Sequence, residues 1–263
     1  KIVEASGLRD KAVYLSIWMG FLDESRFVKF NREYGFDLGQ HIKENGVDVP
    51  FKIEFPDGRK QNTGGFYTFI GRDALTAWKT YFEKERGYPN ENEPAALKTK
   101  WVKDRDLALN TDGVRVNYEN LIRYKLGLIP RKKGDKYARY GMNLHEWRDV
   151  AKTFVRTMYK KTGFMIEGRT IDFDNLAIEF FMGHEVDPLQ YDKFYEDLEY
   201  TRRQYLIIEN RLNILSKDPK VEEIKSDFEG KLKEEKELSR ELAARLNVLE
   251  QSVKSIRKDI DVT

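Results

Sequence analysis

The chain has 263 residues, enough for one large or two small domains, and 40% of them are hydrophobic, which allows a buried core. It contains no cysteine, which excludes disulfide bonds and cysteine-based zinc sites. Its three histidines show no HExxH spacing, so we expect neither a metal nor a cofactor. The formal net charge is only +2, so a nucleic-acid-binding surface would require local clustering of basic residues.

The hydropathy and the first residue of the chain bear on where the protein belongs. We find no signal peptide and no apolar run long enough to cross a bilayer, and therefore expect a cytoplasmic, intracellular protein without a membrane partner. The chain begins with lysine rather than methionine, and we expect a piece of a longer protein.

Helical spacing of apolar residues dominates the first 215 positions, with one region of strand-like alternation. Gly20 interrupts the first helical segment, Pro56-Asp57-Gly58 is a turn signal between the strands, and Asp73 or a neighbour can cap the next helix. The segments that these patterns predict are, in chain order, one or two helices over 8–31, two strands over 49–70, a helix over 71–86, a loop over 87–104, and helices over 116–128, 172–181 and 198–215. The expected class is therefore mainly α with a small antiparallel β-sheet, an α+β fold.

From residue 221 onward the sequence changes to a seven-residue repeat embedded in charged residues. Two interleaved series mark the repeat: Val221, Phe228, Glu235, Leu242, Leu249 and Ile256, and Leu232, Ser239, Leu246, Val253 and Ile260. We predict one domain over 1–216 and a long helical, coiled-coil extension over 217–263 that pairs within the chain or between protomers. A single amphipathic helix lying on the first domain is the alternative.

The densest basic run precedes residue 143 and is interleaved with two tyrosines, Tyr137 and Tyr140. Its basic residues are Arg131, Lys132, Lys133, Lys136 and Arg139. Such a run is commonly a solvated loop, but it leads directly into the segment that carries His145. We therefore interpret it as a DNA-binding segment that contacts the phosphate backbone.

Four residues between 144 and 195 combine an anion-binding group, proton carriers and a nucleophile. Arg148 carries a permanent charge on a planar fork that matches phosphate oxygens. His145 and His184 can donate hydrogen bonds and transfer protons near neutral pH. The hydroxyl of Tyr195 can attack phosphorus and hold it covalently. Fixed donors can stabilise the developing charge without a metal.

The order and spacing of these residues resemble the catalytic domain of the tyrosine recombinases, the phage-integrase family, and most closely its archaeal members. The family's His-x-x-Arg corresponds to His145-Glu146-Trp147-Arg148, its Leu-Gly-His-like box to Met182-Gly183-His184, and its nucleophile to Tyr195. The resemblance covers roughly residues 8–215. It implies the mainly helical recombinase catalytic fold with its small sheet.

The resemblance also implies roles for residues earlier in the chain. In the family, an arginine follows the first apolar helix, but here the register places Leu22 in its position, and Arg26, one helical turn later, is the candidate substitute. The family's catalytic lysine, the general acid for the leaving 5′ oxygen, lies on the hairpin; Lys60 is the first candidate and Lys52 the second. Tyr191 is the alternative to Tyr195 as nucleophile.

The implied function is a site-specific DNA recombinase or integrase of a mobile genetic element. Such an enzyme cleaves and rejoins double-stranded DNA through a 3′-phosphotyrosyl intermediate, as a tetramer on two duplexes, and would be associated with the nucleoid. Because Leu22 stands in the place of the first arginine, a second hypothesis is a catalytically weakened relative that binds DNA or organises an assembly through its C-terminal helix.

Overall fold

Helices make up most of the described chain, and two short antiparallel hairpins complete it, so the predicted mainly helical α+β class is confirmed. The computed structural model describes residues 1–58, 64–98, 106–128, 143–162, 164–166, 169–171, 174–186 and 194–216, with the backbone alone for those of 158–171 and for 194. The predictions that lie outside the described residues concern Lys60, Tyr191, the basic run 131–139 and the extension over 217–263. Contacts between residues divide the chain into two units, Lys1–Ser216 and Lys217–Thr263, and the described residues all belong to the first.

The elements follow one another in the order helices, hairpin, helices, hairpin, helices. Their bounds are α1 Ile2–Ala5, α2 Leu8–Met19, α3 Glu24–Glu33, α4 Gly35–Asn45, β1 Phe51–Phe55, β2 Phe66–Ile70, α5 Arg72–Tyr81, α6 Thr111–Asn120, α7 Leu144–Thr162, β3 Phe164–Ile166, β4 Arg169–Ile171, α8 Asn175–Phe181 and α9 Leu198–Leu212. Single π-helical turns, Phe82–Arg86 and Leu121–Lys125, extend α5 and α6, and a 3₁₀ turn, Phe194–Glu196, precedes α9. None of the described helices is both long enough and apolar enough to cross a membrane.

Helix α2 is the centre of the core. From Ala12 onward it is buried on most of its circumference because α5, α7 and the other helices pack around it, which explains why this part of its sequence is apolar except for Ser16. The buried hydroxyl of Ser16 donates to the carbonyl of Ala12 and accepts from the indole N–H of Trp78 at 2.8 Å. The large Trp78 side chain is therefore fully buried with its polar atom satisfied.

The β1–β2 hairpin lies at the C-terminal end of α2. Its antiparallel register runs from Phe51 opposite Ile70 to Phe55 opposite Phe66, so the two predicted strands and their antiparallel pairing are confirmed. The hydroxyl of Thr68 donates to the carbonyl of Gly20 at 3.1 Å, which attaches the hairpin to the end of α2.

The C-terminal helices are attached to α2 by aromatic side chains. Trp147 of α7 packs against Tyr14 and Tyr118, and its indole N–H donates to the Tyr118 hydroxyl at 3.1 Å. Trp18 donates to the carbonyl of Leu212 at 2.9 Å, which holds the end of α9 against α2. Three segments that are distant in sequence, α2, α7 and α9, are thereby brought together around one core.

Three details differ from the sequence predictions. Helix α5 begins after Gly71, and the Asp73 side chain does not cap it. The Asp73 carboxylate instead accepts hydrogen bonds from the chain that follows α9. Helix α6 begins at Thr111 rather than 116, because the side chain of Asn110 accepts from Gly113 N and caps it. Helix α4 and the hairpin of β3 and β4 were not predicted from the sequence.

Candidate active site

Arg148 occupies a core-facing position of α7. The buried positions of this helix include Leu144, Arg148, Ala151 and Val155, whose spacing of four, three and four residues is the inward stripe of an α-helix. Arg148 is only 2% exposed. A buried guanidinium requires partners because an isolated buried charge is strongly unfavourable, and the partners of Arg148 therefore define the site.

The partners of Arg148 come from the end of α8 and the start of α3. Its Nη2 donates to the backbone carbonyl of Met182 and lies 3.5 Å from Nε2 of His184. Its Nη1 lies 3.6 Å from Oδ2 of Asp23. The structure therefore brings together Arg148 and His184, the two residues that the His-x-x-Arg and Met-Gly-His motifs contribute.

A tight turn after α8 places the His184 side chain next to Arg148. Gly183 has φ +66°, its N–H donates to Phe180 O at 2.7 Å, and His184 N–H donates to Glu179 O at 3.0 Å. This pair of bonds is the Schellman ending of a helix, which folds the chain back over the last turn. A Cβ at Gly183 would lie 2.6 Å from the ring of Phe66, so the turn also requires glycine for its close approach to β2.

Glu179 lies directly behind His184. Its Oε2 is 2.7 Å from Nδ1 of His184, and Nζ of Lys152 lies 2.6 Å from its Oε1. A second cation, Arg156, lies 3.6 Å from the same Oε1. Burial alone would raise the pKa of Glu179, but the hydrogen bonds from Lys152 and His184 and the charge of Lys152 hold it below its ordinary value. At neutral pH this carboxylate is therefore ionised and acts only as an acceptor.

Asp23 connects two arginines at the other side of the cluster. It caps α3 by accepting from Arg26 N at 2.8 Å and from the Ser25 hydroxyl at 2.6 Å. Burial would raise its pKa, but these hydrogen bonds and the charges of Arg148 and Arg26 lower it. Asp23 is thus a fixed anion that partly neutralises the guanidinium of Arg148.

Arg26, the candidate substitute for the missing arginine, lies against the turn end of the β1–β2 hairpin. Its guanidinium donates to the carbonyl of Gly58 and lies over the stacked rings of Phe55 and Phe66, 5.4 and 5.9 Å from their centroids. Arg26 is half-buried, and the Phe66 ring that it covers also contacts Gly183. It therefore belongs to the same neighbourhood as the Arg148 cluster, on the hairpin side.

Leu22, which stands in the place of the family's first arginine, is a core residue. It is 1% exposed, its N–H donates to the carbonyl of Ile17, and it follows Phe21, which has φ +52°. An arginine at this position would place a charge in apolar surroundings, so the leucine is part of the packing of this chain.

Tyr195 lies in the 3₁₀ turn before α9. Its ring stacks on Phe180 of α8, with centroids 5.3 Å apart and planes 12° apart, and its carbonyl accepts from the Tyr67 hydroxyl at 2.5 Å. Lys52, the second candidate for the catalytic lysine, lies with Nζ 4.5 Å from the Tyr67 ring centroid and pairs with Glu54 at 2.5 Å. The structure therefore places the Tyr195 ring against α8, the helix that ends at the Arg148 cluster.

His145 lies one turn before Arg148 but on the exposed side of α7, where its backbone N–H donates to Oδ1 of Asn143 at 3.3 Å. The described contacts do not bring its ring together with Arg148 and His184. Lys60 and the basic residues Arg131, Lys132, Lys133, Lys136 and Arg139 lie outside the described residues. Among the described side chains, no group of three or more histidine or acidic residues is close enough to hold a metal ion.

Sequence reasoning missed the two acidic partners, Asp23 and Glu179. Asp23 had a local signal, since an Asp before Glu24 and three residues before Arg26 is an N-cap pattern. Glu179 also had one: a helix that ends at glycine in a Schellman turn brings the residue after the glycine next to the residue five positions before it.

Comparisons with known proteins add no relative to this picture. Scans against models of protein families, against curated proteins and against solved structures each found no match to the chain. The likeness to the tyrosine recombinases consequently rests on the sequence motifs alone.

Proposed function

We propose that this chain is a DNA strand transferase of the tyrosine-recombinase type, which cleaves and rejoins double-stranded DNA through a phosphotyrosyl intermediate. The observation that carries the proposal is the 3.5 Å approach of Arg148 Nη2 to His184 Nε2. These residues are 36 positions apart, and each belongs to one of two short motifs whose order and spacing suggested one site.

In this proposal Arg148 binds the scissile phosphate, because its planar fork presents several donors to two phosphate oxygens at once. Arg26 supplies a second positive charge from the hairpin side. His145 and His184 handle protons, and Tyr195 attacks phosphorus. Lys60, with Lys52 as the alternative, protonates the leaving 5′ oxygen. The basic run 131–139 holds the DNA backbone, and four protomers assemble on two duplexes, with the extension 217–263 available for pairing.

The test is covalent trapping on DNA. The full chain is incubated with nicked duplexes of randomised central sequence, and protein–DNA adducts are separated under denaturing conditions. Arg148→Lys keeps the charge of the buried side chain but removes the planar fork, and should lower adduct formation by about 100-fold or more, the scale of losing one transition-state donor. Arg202→Lys, on the half-buried surface of α9, is the matched control. Equal adduct yields from Arg148→Lys and wild type would contradict the role of Arg148.

A second candidate function is DNA binding or assembly without efficient strand transfer. It is favoured by the burial of Leu22 in place of an arginine and by Asp23, which neutralises part of the charge of Arg148. Tight binding of the same duplexes without any adduct from the wild-type chain would favour this candidate over the first.

A further inference from the structure

The ring of His184 has a different partner on each nitrogen. Nδ1 lies 2.7 Å from a carboxylate oxygen of Glu179, and Nε2 lies 3.5 Å from Nη2 of Arg148. A carboxylate can only accept a hydrogen bond and a guanidinium can only donate one. Both contacts are satisfied by one neutral form of the ring, with the proton on Nδ1 and the lone pair on Nε2.

The contact with Glu179 is built into the fold rather than being a chance surface encounter. The Schellman turn at Gly183 returns the chain over α8, so His184 and Glu179 are held together by main-chain hydrogen bonds as well as by their side chains. Lys152, on α7, holds both oxygens of the same carboxylate, with its Nζ 2.6 Å from Oε1 and 2.8 Å from Oε2. Because the carboxylate is held from both sides, it can set the orientation of the imidazole.

From this geometry we propose that Glu179 is a positioning residue that keeps His184 in the Nδ1–H form and turns its Nε2 lone pair toward Arg148, so that His184 accepts a proton at the site. This inference rests on the proposed function and specifies the direction in which His184 transfers a proton and the residue that sets it. A histidine held in this form cannot donate from Nε2 to a phosphate, but it can remove a proton there.

The proton transfer is balanced within the proposed reaction. The Tyr195 oxygen forms a bond to phosphorus as the bond between phosphorus and the 5′ oxygen breaks. As Arg148 Nη2 turns from His184 to the phosphate, the Nε2 lone pair is released and takes the tyrosine hydroxyl proton. The leaving 5′ oxygen takes a proton from the general acid of the proposed reaction. Glu179 then stabilises the imidazolium that forms, as a carboxylate behind a catalytic histidine does in other enzymes.

The tautomer can be measured without any DNA. The full chain is labelled with ¹⁵N-histidine, and the ring nitrogens are examined by NMR over a pH series that extends about two units above the ordinary histidine pKa, so that the tautomer is assigned from the neutral ring. Only His41, His145 and His184 contribute signals, so His41→Gln and His145→Gln suffice to assign them. We expect the proton of His184 on Nδ1.

Two variants separate the direct contact from the general charge of the cluster. Glu179→Ala should move His184 toward the Nε2–H form, whereas Lys152→Met, which leaves the carboxylate in place, should retain the Nδ1–H form. Glu179→Gln, which keeps the side-chain shape and one acceptor oxygen, serves if the alanine variant does not fold, and should give a mixture. An Nε2–H form in the wild type, or an unchanged tautomer in both Glu179 variants, would overturn the inference.

The functional consequence has its own readout. On the randomised nicked duplexes, Glu179→Ala should slow adduct formation by about 100-fold, the lower range for the loss of a positioned general base. An adduct rate equal to that of the wild type would overturn the role of Glu179 in the reaction. Absence of adduct from the wild-type chain itself would refute the proposed function, while the NMR result would still decide whether Glu179 positions His184.

Discussion

Asp73 and Glu179 are two carboxylates that each gather several donors, and they differ in the kind of donor. Asp73 accepts from the backbone N–H groups of Ile214, Leu215 and Ser216 and from the Ser216 hydroxyl, at 2.5–2.8 Å. Glu179 accepts from long side chains of α7 and from His184. Backbone donors cannot turn away to water without moving the chain, whereas side-chain cations can. The first arrangement anchors the end of α9, and the second leaves an imidazole able to react.

The largest expected effect is on the anchor. Asp73→Ala leaves three backbone N–H groups near the core without their acceptor and should reduce the free energy of unfolding by about 3 kcal/mol, on the scale of unsatisfied buried donors. Glu179→Ala should cost only about 1 kcal/mol, because Lys152 and Arg156 can reach water. Urea unfolding of both variants measures the difference.

Glu44→Ala, on the exposed face of α4, controls for the loss of an acidic side chain and should leave stability within about 0.5 kcal/mol of the wild type. If Asp73→Ala and Glu179→Ala proved equally destabilising, the kind of donor, backbone or side chain, would not determine how much a carboxylate contributes to stability.

The next largest effect on stability is expected at Gly183, in the turn that places His184 beside Glu179. Gly183→Ala combines a positive φ with a Cβ 2.6 Å from the Phe66 ring, and should reduce the free energy of unfolding by about 2–4 kcal/mol. Gly127→Ala is the matched control, because Gly127 also has a positive φ of +63° but no atom within 4 Å of the added Cβ. It should lose only about 1–2 kcal/mol from backbone strain. Thermal or urea unfolding compares the two variants. Equal losses of unfolding free energy would show that the close contact with Phe66 does not contribute to the cost at Gly183.

The smallest expected effect is a pH dependence of stability that comes from Glu209, a carboxyl group near Asp73. Burial raises the pKa of Glu209 from 4.5 to about 6, although the N–H and charge of Arg72 oppose the rise. Because the folded state holds this proton more tightly than the unfolded state, stability falls as the pH rises through that interval, by about 2 kcal/mol in all. Glu209→Gln should remove this fall.

The difference in unfolding free energy between Glu209→Gln and wild type should therefore grow from pH 4.5 to above 6. The lowered pKa values of Asp23 and Glu179 act in the opposite sense, since they stabilise the fold above their ordinary range and lose this effect as the pH falls. Both groups are present in the two proteins and cancel in the difference. A difference that stays constant with pH would show that Glu209 does not titrate in this interval.

The sequence predicted the elements that have a strong periodic pattern. The first helices, the β1–β2 hairpin, the helix from 71 and the last two helices follow from apolar spacing and from turn residues such as Gly20 and Gly183. Helix α4 was missed because its pattern is short and interrupted by Gly39. The 164–171 hairpin was missed because its three-residue strands carry too little alternation to recognise.

For the candidate site, the motifs predicted one of the contacts, that between Arg148 and His184, but not how either residue is surrounded. Arg148 and His184 are close, as the motif order suggested, yet the depth of Arg148 depends on the packing of α7 against α2, which no local pattern encodes. The sequence also did not predict that the Asp73 carboxylate accepts hydrogen bonds from the chain after α9, because these donors lie more than 140 positions later in the sequence.

The most direct test of the account is to identify the tyrosine that becomes attached to DNA. The wild-type chain is trapped on the randomised nicked duplexes, digested, and the nucleotide-bearing peptide is identified by mass spectrometry, with Tyr195→Phe and Tyr191→Phe in parallel. We predict attachment at Tyr195, lost in Tyr195→Phe and retained in Tyr191→Phe. Attachment at any other tyrosine, or none despite DNA binding, would contradict the account.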